Sequence, residues 1–444
     1  MKAIRGLAMV HVPTSPAATT VFAGRTLLAR SLALAGSVGL RAVLVAHDAA
    51  ALPDLPPEVI RLAPGERLPP SLPPNSTVLA WRCDEAFVAG LLRELLADQA
   101  PRERVLLDDI GRVAIVRTDF ARLAGGVPED PGSLAAALPG HAVDARHRCI
   151  AIATDAAEGR PPRVAESALV ATLVNPRDGL FDRLLNRPIS QAITPRLLRL
   201  PVTPNQVTLL SLAVGGLAAA ALARPGFAWP VAGALLMQAT AVLDCMDGEI
   251  ARAKVLESAW GERLDVTSDS LIHVLAFLGI AVHEWPRLGA RLAWTLGAMF
   301  AIGGLLAFAV VTRAERTEDR WKPIGSPAAR LLGGMLATLT TRDLSMLVLA
   351  AALLGLLRPL LVGAAFGAQG FWVLALLLHG HLMREVGRRE AVSAAAGFTT
   401  QVGDQSRSVS RQAFSIAASS FEGQSRTPTA GSRKRARAAR FSSP

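Results

Sequence analysis

Tyrosine is absent from this 444-residue chain, and aromatic residues of all kinds make up only 5% of it. Nucleic-acid modules stack bases on aromatic side chains set among basic ones. The net charge of +11 therefore has no such surface to accompany it, and its arginines gather instead at the flanks of apolar segments. That is the pattern of the positive-inside rule, and it points to a membrane rather than to nucleic acid. Cysteine is scarce as well. Cys83, Cys149 and Cys245 form no CxxC pair, which argues against both a disulfide framework and a zinc site. The opening stretch MKAIRGLAMVHVPTSPAA has too short an apolar core for a signal peptide, so the N-terminal region is expected in the cytosol. Charged residues are thin at 19% against 51% hydrophobic, a balance that makes membrane spans the first expectation.

The apolar residues are unevenly spread. Residues 1–165 alternate short β-branched runs (LAMVHV, RAVLVAHD, STVLAW, RVLLDD, RVAIVRT) with helical patterns such as AFVAGLLRELLADQ, which predicts an α/β domain with a largely parallel sheet. Residues 166–200 form a juxtamembrane segment. There Leu180, Phe181, Leu184 and Leu185 share a helical face with Arg and Asp opposite, as in an amphipathic helix lying in the membrane interface. Residues 201–390 contain six candidate transmembrane helices, near 207–223, 227–246, 266–284, 290–312, 343–365 and 368–384. The connections around 248–264 and 313–342 are rich in Arg and Lys. RPG and FGAQG, after the first and fifth spans, carry one or none, and HEWPRLGAR carries two. Positive-inside logic then places both termini and the Asp-bearing loop on the cytosolic side of a cytoplasmic (inner) membrane. Residues 391–444, ending in SRKRARAAR, are expected to be a disordered basic Ser/Arg-rich tail.

Between the second and third spans stands LDCMDGEIARAKVLESAWGERLDVTSDSL, with four carboxylates among apolar neighbours. Asp244 and Asp247 are three apart and share a helical face; Gly248 and Ala251 follow on nearly the same side and leave room for a ligand. Asp265 and Asp269 are four apart at the start of the next span, with Gly261 one turn earlier on that stripe. Four like charges near a low dielectric need compensation. Clustered oxygen ligands without His or Cys select hard cations such as Mg²⁺ or Mn²⁺. Hard cations imply phosphate, and Arg252 is placed to bind it.

The segment DCMDGEIARAKVLESAWGERLDVTSD fits D-x2-D-G-x2-A-R-x8-G-x3-D-x3-D at every fixed position, and in this it resembles the CDP-alcohol phosphotransferase family. The likeness extends over roughly residues 175–390, taking in the six spans and the VTPNQVT entry to the first. It implies a two-metal site in which Asp244, Asp247 and Asp265 ligate the ions, with Asp269 completing the site and acting as general base on the incoming hydroxyl. It implies that Gly248, Arg252 and Ser258 contact the CDP moiety, alongside Ala251 and Gly261, and that Pro204, Asn205 and Thr208 line the nucleotide pocket. The implied reaction transfers a phospho-alcohol group from a CDP-alcohol to a hydroxyl acceptor, a lipid or polyol phosphate, with release of CMP. A homodimer in contact with membrane lipid is implied too.

The order of an α/β domain, NPRDGLFDRLLNRPIS and then TPNQVT is similar to one branch of the family, the fused inositol-1-phosphate cytidylyltransferase and di-myo-inositol-phosphate phosphate synthase proteins. The resemblance implies a fold class of α-helical membrane protein with six transmembrane helices, preceded by a nucleotidyltransferase-like cytosolic domain. A working domain of that type opens with a Gly-rich, Arg-containing loop and a Lys; here the stretch reads VHVPTSPAATTVFAGR, without those glycines and without the Lys. Asp84, Asp108 and Asp109 are candidate remnants of a metal site. The front domain is accordingly expected to be degenerate. The competing expectations are a bifunctional enzyme that makes its own CDP-alcohol from CTP, and a non-enzymatic membrane scaffold or transporter.

Overall fold

The computed structural model describes residues 6–13, 15–46, 55–69, 76–97, 102–123, 125–138, 141–153, 159–173, 178–339 and 343–422. The chain divides into two compact units, Met1–Arg316 with Leu331–Leu376, and Thr317–Arg330 with Leu377–Pro444.

The N-terminal part of the first unit is α/β. Its eight-stranded sheet runs in the order Ile60–Leu62, Leu40–Ala46, Gly6–Val12, Thr77–Arg82, Val113–Asp119, Arg104–Asp108, Ala142–Ala151, Glu85–Ala86. The strand GLAMVHV, apolar except for His11, is buried along its whole length, as expected of a strand in the middle of a covered sheet. Its partners on both sides, Leu40–Ala46 and Thr77–Arg82, are parallel to it. The largely parallel expectation holds for that half. Arg104–Asp108 and Val113–Asp119, however, form an antiparallel pair that also reverses the sheet against Thr77–Arg82. Four residues, Asp109 to Arg112, separate these strands, far too few for a crossover helix. One face of the sheet packs around Leu28, Leu34, Trp81 and Phe87, the last two ring-to-edge at 5.8 Å; the other gathers Met9, Val43, Val78 and Val116.

Four long helices follow: the first span Pro204–Leu222, the second Ala228–Ala253, the third Ala259–Leu288 and the fourth Ala290–Glu315. The first starts where expected. Pro204 takes the first helical position, and the Gln206 side chain accepts the Thr203 N–H at 2.9 Å. These helices approach closely through small residues, the usual means of association in an apolar medium. A Cβ on Gly279 would stand 2.5 Å from the Ala219 carbonyl oxygen. Phe277 and Phe300 stack at 3.8 Å across the third and fourth spans.

Among the described residues five helices, not six, are long and apolar enough to cross a membrane, the fifth being Leu357–Val392. The segment expected as a single span over 343–365 is an eleven-residue apolar helix, Asp343–Leu353, followed by a break. Gly355 adopts φ +67° there, and the Leu356 N–H reaches back to the Ala351 carbonyl at 2.7 Å, a glycine-terminated helix end. FGAQG, expected as the loop, lies inside the next helix, Leu357–Glu422. Its single glycines carry no turn-forming neighbour, whereas Gly355 of LGL is followed within four residues by Pro359. The same helix continues through residues 391–422, the stretch expected to be disordered, where alanine, glutamine and arginine are good helix formers. SRKRARAAR lies outside the described residues.

The juxtamembrane segment is helical at Asp182–Leu197. Leu180, Phe181 and Leu184 are exposed, and the polar stripe Asp178, Asp182, Asn186, Ser190, Thr194 is buried. The helix is two-faced, with its polar stripe turned inward onto protein and its apolar side exposed.

Candidate active site

Asp244 and Asp247 come off the last turns of the second span, Asp265 and Asp269 off the first turns of the third. One carboxylate oxygen each from Asp244, Asp247 and Asp265 lies within 4.8 Å of the others. Asp269, one turn further along the third span, stands outside that triad. Thr208 Oγ1 on the first span donates to Asp247 Oδ2 at 2.6 Å, which fixes one carboxylate and leaves its second oxygen for another partner. Asp265 Oδ1 is buried with no hydrogen-bond partner. A buried acceptor without a donor, beside two more carboxylates, is a costly arrangement unless a cation completes it. An all-oxygen donor set suits a hard divalent ion, so the residues present fit the expected Mg²⁺ or Mn²⁺.

The residues expected around the nucleotide lie on the first three spans and the turn between the second and third, on the helices that also carry the triad and Thr208. Arg252 Nε is buried without a partner, a donor held ready for an anion, and a Cβ on Gly248 would lie 3.4 Å from Arg252 Nη2. Asn205 Oδ1 would be 3.1 Å from a Cβ on Gly261, so that glycine is what lets the first span sit against the third. Ala251 is half-buried on the same stretch. Ser258 caps the third span, its Oγ accepting the Gly261 N–H at 3.0 Å, and this shapes the loop before any ligand arrives.

Two supporting assemblies were not singled out from the sequence. The first surrounds Glu249, fully buried on the back of the motif helix. It accepts from Arg187 Nη1 at 3.0 Å, Ser190 Oγ at 2.7 Å and Thr194 Oγ1 at 2.6 Å. Arg187 also donates twice to Asp178, at 2.8 and 3.1 Å. Asn186 donates to Asp182 at 2.8 Å, and Gln238 joins Asn186 to Ser345. The signal was present: residues 178, 182, 186, 190 and 194 are all polar at a strict spacing of four, one stripe of a helix whose other side is apolar.

The second assembly is a clasp from the α/β domain onto the end of the motif helix. Arg30, fully buried, donates to the Ala253 carbonyl at 3.4 Å and the Phe87 carbonyl at 2.5 Å. Burial brings its guanidinium down to about 10. Lys254 Nζ donates to the carbonyls of Leu200 and Val202 at 2.7 and 2.9 Å. Val255 adopts φ +55° and packs against the α/β core. A β-branched residue in the left-handed region persists only where its surroundings hold it.

In the α/β domain itself, the acids named as remnants of a metal site are tied into ion pairs. Asp84 takes Arg82 at 2.9 and 2.8 Å, Asp108 takes Arg112 at 2.8 Å, and Asp109 takes Arg160. Where a phosphate loop would follow the first strand, Ala17 and Ala18 are fully buried in the core. His11 is buried with Nδ1 on the Glu129 carbonyl at 3.0 Å, and burial pushes its imidazole down to about 4, so it is uncharged at neutral pH.

Residues 201–379 match the family model described as CDP-alcohol phosphatidyltransferase. A relative named bifunctional IPC transferase and DIPP synthase, from Archaeoglobus fulgidus, is 36% identical over 157 residues, covering 35% of this chain and 30% of the relative. A protein of the same name from Rubrobacter xylanophilus is 30% identical over 223 residues, 50% of this chain and 44% of that one. The chain thus spans less than half the length of the curated relatives it matches. The solved structure of phosphatidylinositol phosphate synthase from Mycobacterium tuberculosis, with CDP-DAG bound, aligns at 19% identity and TM-score 0.28 over 45% of this chain and 94% of that one.

Proposed function

We propose, from the match of residues 201–379 to the family model described as CDP-alcohol phosphatidyltransferase, that this protein transfers a phospho-alcohol group from a CDP-alcohol to an acceptor hydroxyl, releasing CMP. The observation that carries the reading is the carboxylate triad of Asp244, Asp247 and Asp265, in which Asp265 Oδ1 is buried without a partner, together with an Arg252 on the same motif helix whose Nε is equally unpartnered. A cation-seeking pocket beside an anion-seeking donor is what a metal-bound pyrophosphate requires. The triad would hold Mg²⁺ or Mn²⁺, which when bound would offset charge on the departing phosphate.

The chain's own residues do the rest. Arg252 orients the nucleotide phosphates, and Asn205 and Gly261 set the width of the slot beside them. Asp269 takes the proton from the acceptor hydroxyl as its oxygen bonds to the β-phosphorus; the bond from that phosphorus to the bridging oxygen breaks, and the electron pair leaves with CMP. The helix Asp343–Leu353 supplies the sixth membrane-embedded element in this reading, with the aspartate end of the bundle facing the cytosol. Incubating membranes that contain the protein with labelled CDP-alcohols, candidate acceptors and Mg²⁺ should yield CMP and a new phosphodiester. No metal-dependent CMP release from any donor would sink the proposal.

The α/β domain is a nucleotidyltransferase-like fold that serves as a support. Buried Ala17 and Ala18 and the paired acids speak for this supporting role, and the clasp gives the domain another task. Arg30→Ala should lower the thermal stability of the full chain by about 1–3 kcal/mol, because two buried carbonyls lose their donor. It should also raise the KM for CDP-alcohol more than it lowers kcat, since the Ala253 end of the motif helix is loosened beside Arg252. An unchanged KM would argue against the clasp. CTP-dependent formation of a CDP-alcohol by the protein would overturn the supporting role altogether.

A further inference from the structure

At the end of the bundle opposite the aspartates lies a cavity of about 470 Å³, within the size range of small-molecule sites. It opens between the turn joining the first two spans, the last turn of the third span, and the break before the final helix; its polar lining is His283, Glu284, Arg287 and Arg358. Pro230 and Asp247 are on one helix, so the cavity is about 25 Å from the triad at 1.5 Å per residue.

The chemistry of the cavity is uneven. Glu284 is buried and accepts from Arg287 Nη1 at 3.2 Å and from Arg358 Nε at 3.3 Å. One carboxylate therefore meets two guanidinium groups, each with five N–H donors and each about half exposed, at 53% and 49%. His283 Nδ1 lies 2.8 Å from the Arg224 carbonyl, which makes Nδ1 the donor and leaves Nε2 to accept from Arg287 at 3.4 Å. Arg224 stacks over Trp229 at 4.5 Å close by. Over residues 223–229, 284–292 and 353–360 the chain places Arg224, Arg287, Arg291 and Arg358 against the single acid Glu284.

Positive-inside logic makes this costly. If the aspartates mark the cytosolic end, four arginines stand at the end where basic residues are disfavoured. Arg358 belongs to this group only because the structure puts the helix break at Leu354–Leu356 rather than at FGAQG. Trp229, Trp285 and Trp294 are exposed around the same end, the last two in edge contact at 6.5 Å, which sets the cavity at the level of lipid headgroups.

We propose that this cavity is a second, non-catalytic binding site for a phosphate-bearing anion, gripped by Arg287 and Arg358 from the two sides of Glu284, with an anionic phospholipid headgroup as the natural source. The site is independent of the transferase reading: it needs neither the triad nor a CDP-alcohol.

The test uses the full chain in detergent, stripped of lipid and titrated in separate arms with phosphatidylglycerol, phosphatidylcholine and inorganic phosphate. Bound lipid is counted by native mass spectrometry, and phosphate binding is read by calorimetry. The wild type should retain phosphatidylglycerol about tenfold better than phosphatidylcholine, and the Arg287→Ala/Arg358→Ala protein should lose most of that preference, a change of about 1.4 kcal/mol. Loss confined to the inorganic phosphate arm would identify a soluble anion as the ligand. Glu284→Gln should tighten binding by removing the competing carboxylate, which a purely structural ion pair would not do. Equal binding of all three ligands by wild type and double variant overturns the proposal. Should the double variant not fold, the wild type decides. Phosphatidylglycerol must slow phenylglyoxal modification of Arg287 and Arg358, read by peptide mass spectrometry, and unchanged labelling refutes the site.

Discussion

Asp269→Asn should cut CMP release by about 10²–10⁴-fold, the range that a positioned general base contributes, while leaving the fold and the metal affinity in place. The substitution keeps side-chain shape and removes only the ability to take a proton. The three oxygens that converge belong to Asp244, Asp247 and Asp265, so stabilisation of the protein by added Mn²⁺, read as a shift in unfolding temperature, should persist in Asp269→Asn. Asp265→Asn should lose both activity and that shift, because it takes an oxygen out of the triad. The pair of variants separates proton transfer from ion holding. Asp269→Asn with activity within threefold of wild type would place the base elsewhere, and loss of the Mn²⁺ shift in that variant would make Asp269 a ligand before anything else.

The second large effect concerns stability. Arg187→Leu should destabilise the protein by about 3–5 kcal/mol, since it removes the one guanidinium that two buried carboxylates, Asp178 and Glu249, share. Glu249→Gln should cost about 1–2 kcal/mol, because the amide oxygen can still accept from Ser190 and Thr194. Combined, the two changes should cost less than their sum by about 1–3 kcal/mol, the signature of direct contact in a double-mutant cycle. Thermal or denaturant unfolding of the four proteins reads this directly; strict additivity would mean that the network does not act as a unit. Activity should follow stability here, because Glu249 is flanked by Gly248 and, one turn on, Arg252.

How much of this was open to sequence reading differs from feature to feature. The carboxylates were legible because spacing of three and four on helices fixes a face, and the face needed only two neighbouring spans to converge. The order of the front domain was legible from alternating runs, but its antiparallel hairpin was hidden by an assumption that every strand follows a helix. The Asp109–Arg112 connection was short enough to refute that assumption. The break at Leu354–Leu356 was missed because hydropathy there is continuous, and a single glycine ends the helix only once it adopts a left-handed conformation. Glu249 fell at a variable position of the motif, and the stripe from Asp178 to Thr194 looked like the solvent side of an interfacial helix. Which side of an amphipathic helix is wet depends on what stands opposite, and that is a tertiary fact. The clasp through Arg30 and Lys254 joins residues more than two hundred positions apart in the first case, beyond any local pattern.

The turn at Val255 bears on the order in which the molecule is made. Its left-handed backbone is held against the core built by residues 8–149, and those residues leave the ribosome before the second span exists. Domains fold as they emerge, so the surface that holds Val255 is ready when the motif helix arrives. Translation itself then supplies the mould, against which the turn joining the two aspartate-bearing helices is cast. A circularly permuted chain that begins at the first span and ends with the α/β domain would contain every contact described above. It would nonetheless have to form the turn with nothing to hold it, and would insert into the bilayer with the two aspartate-bearing helices joined by an unset turn.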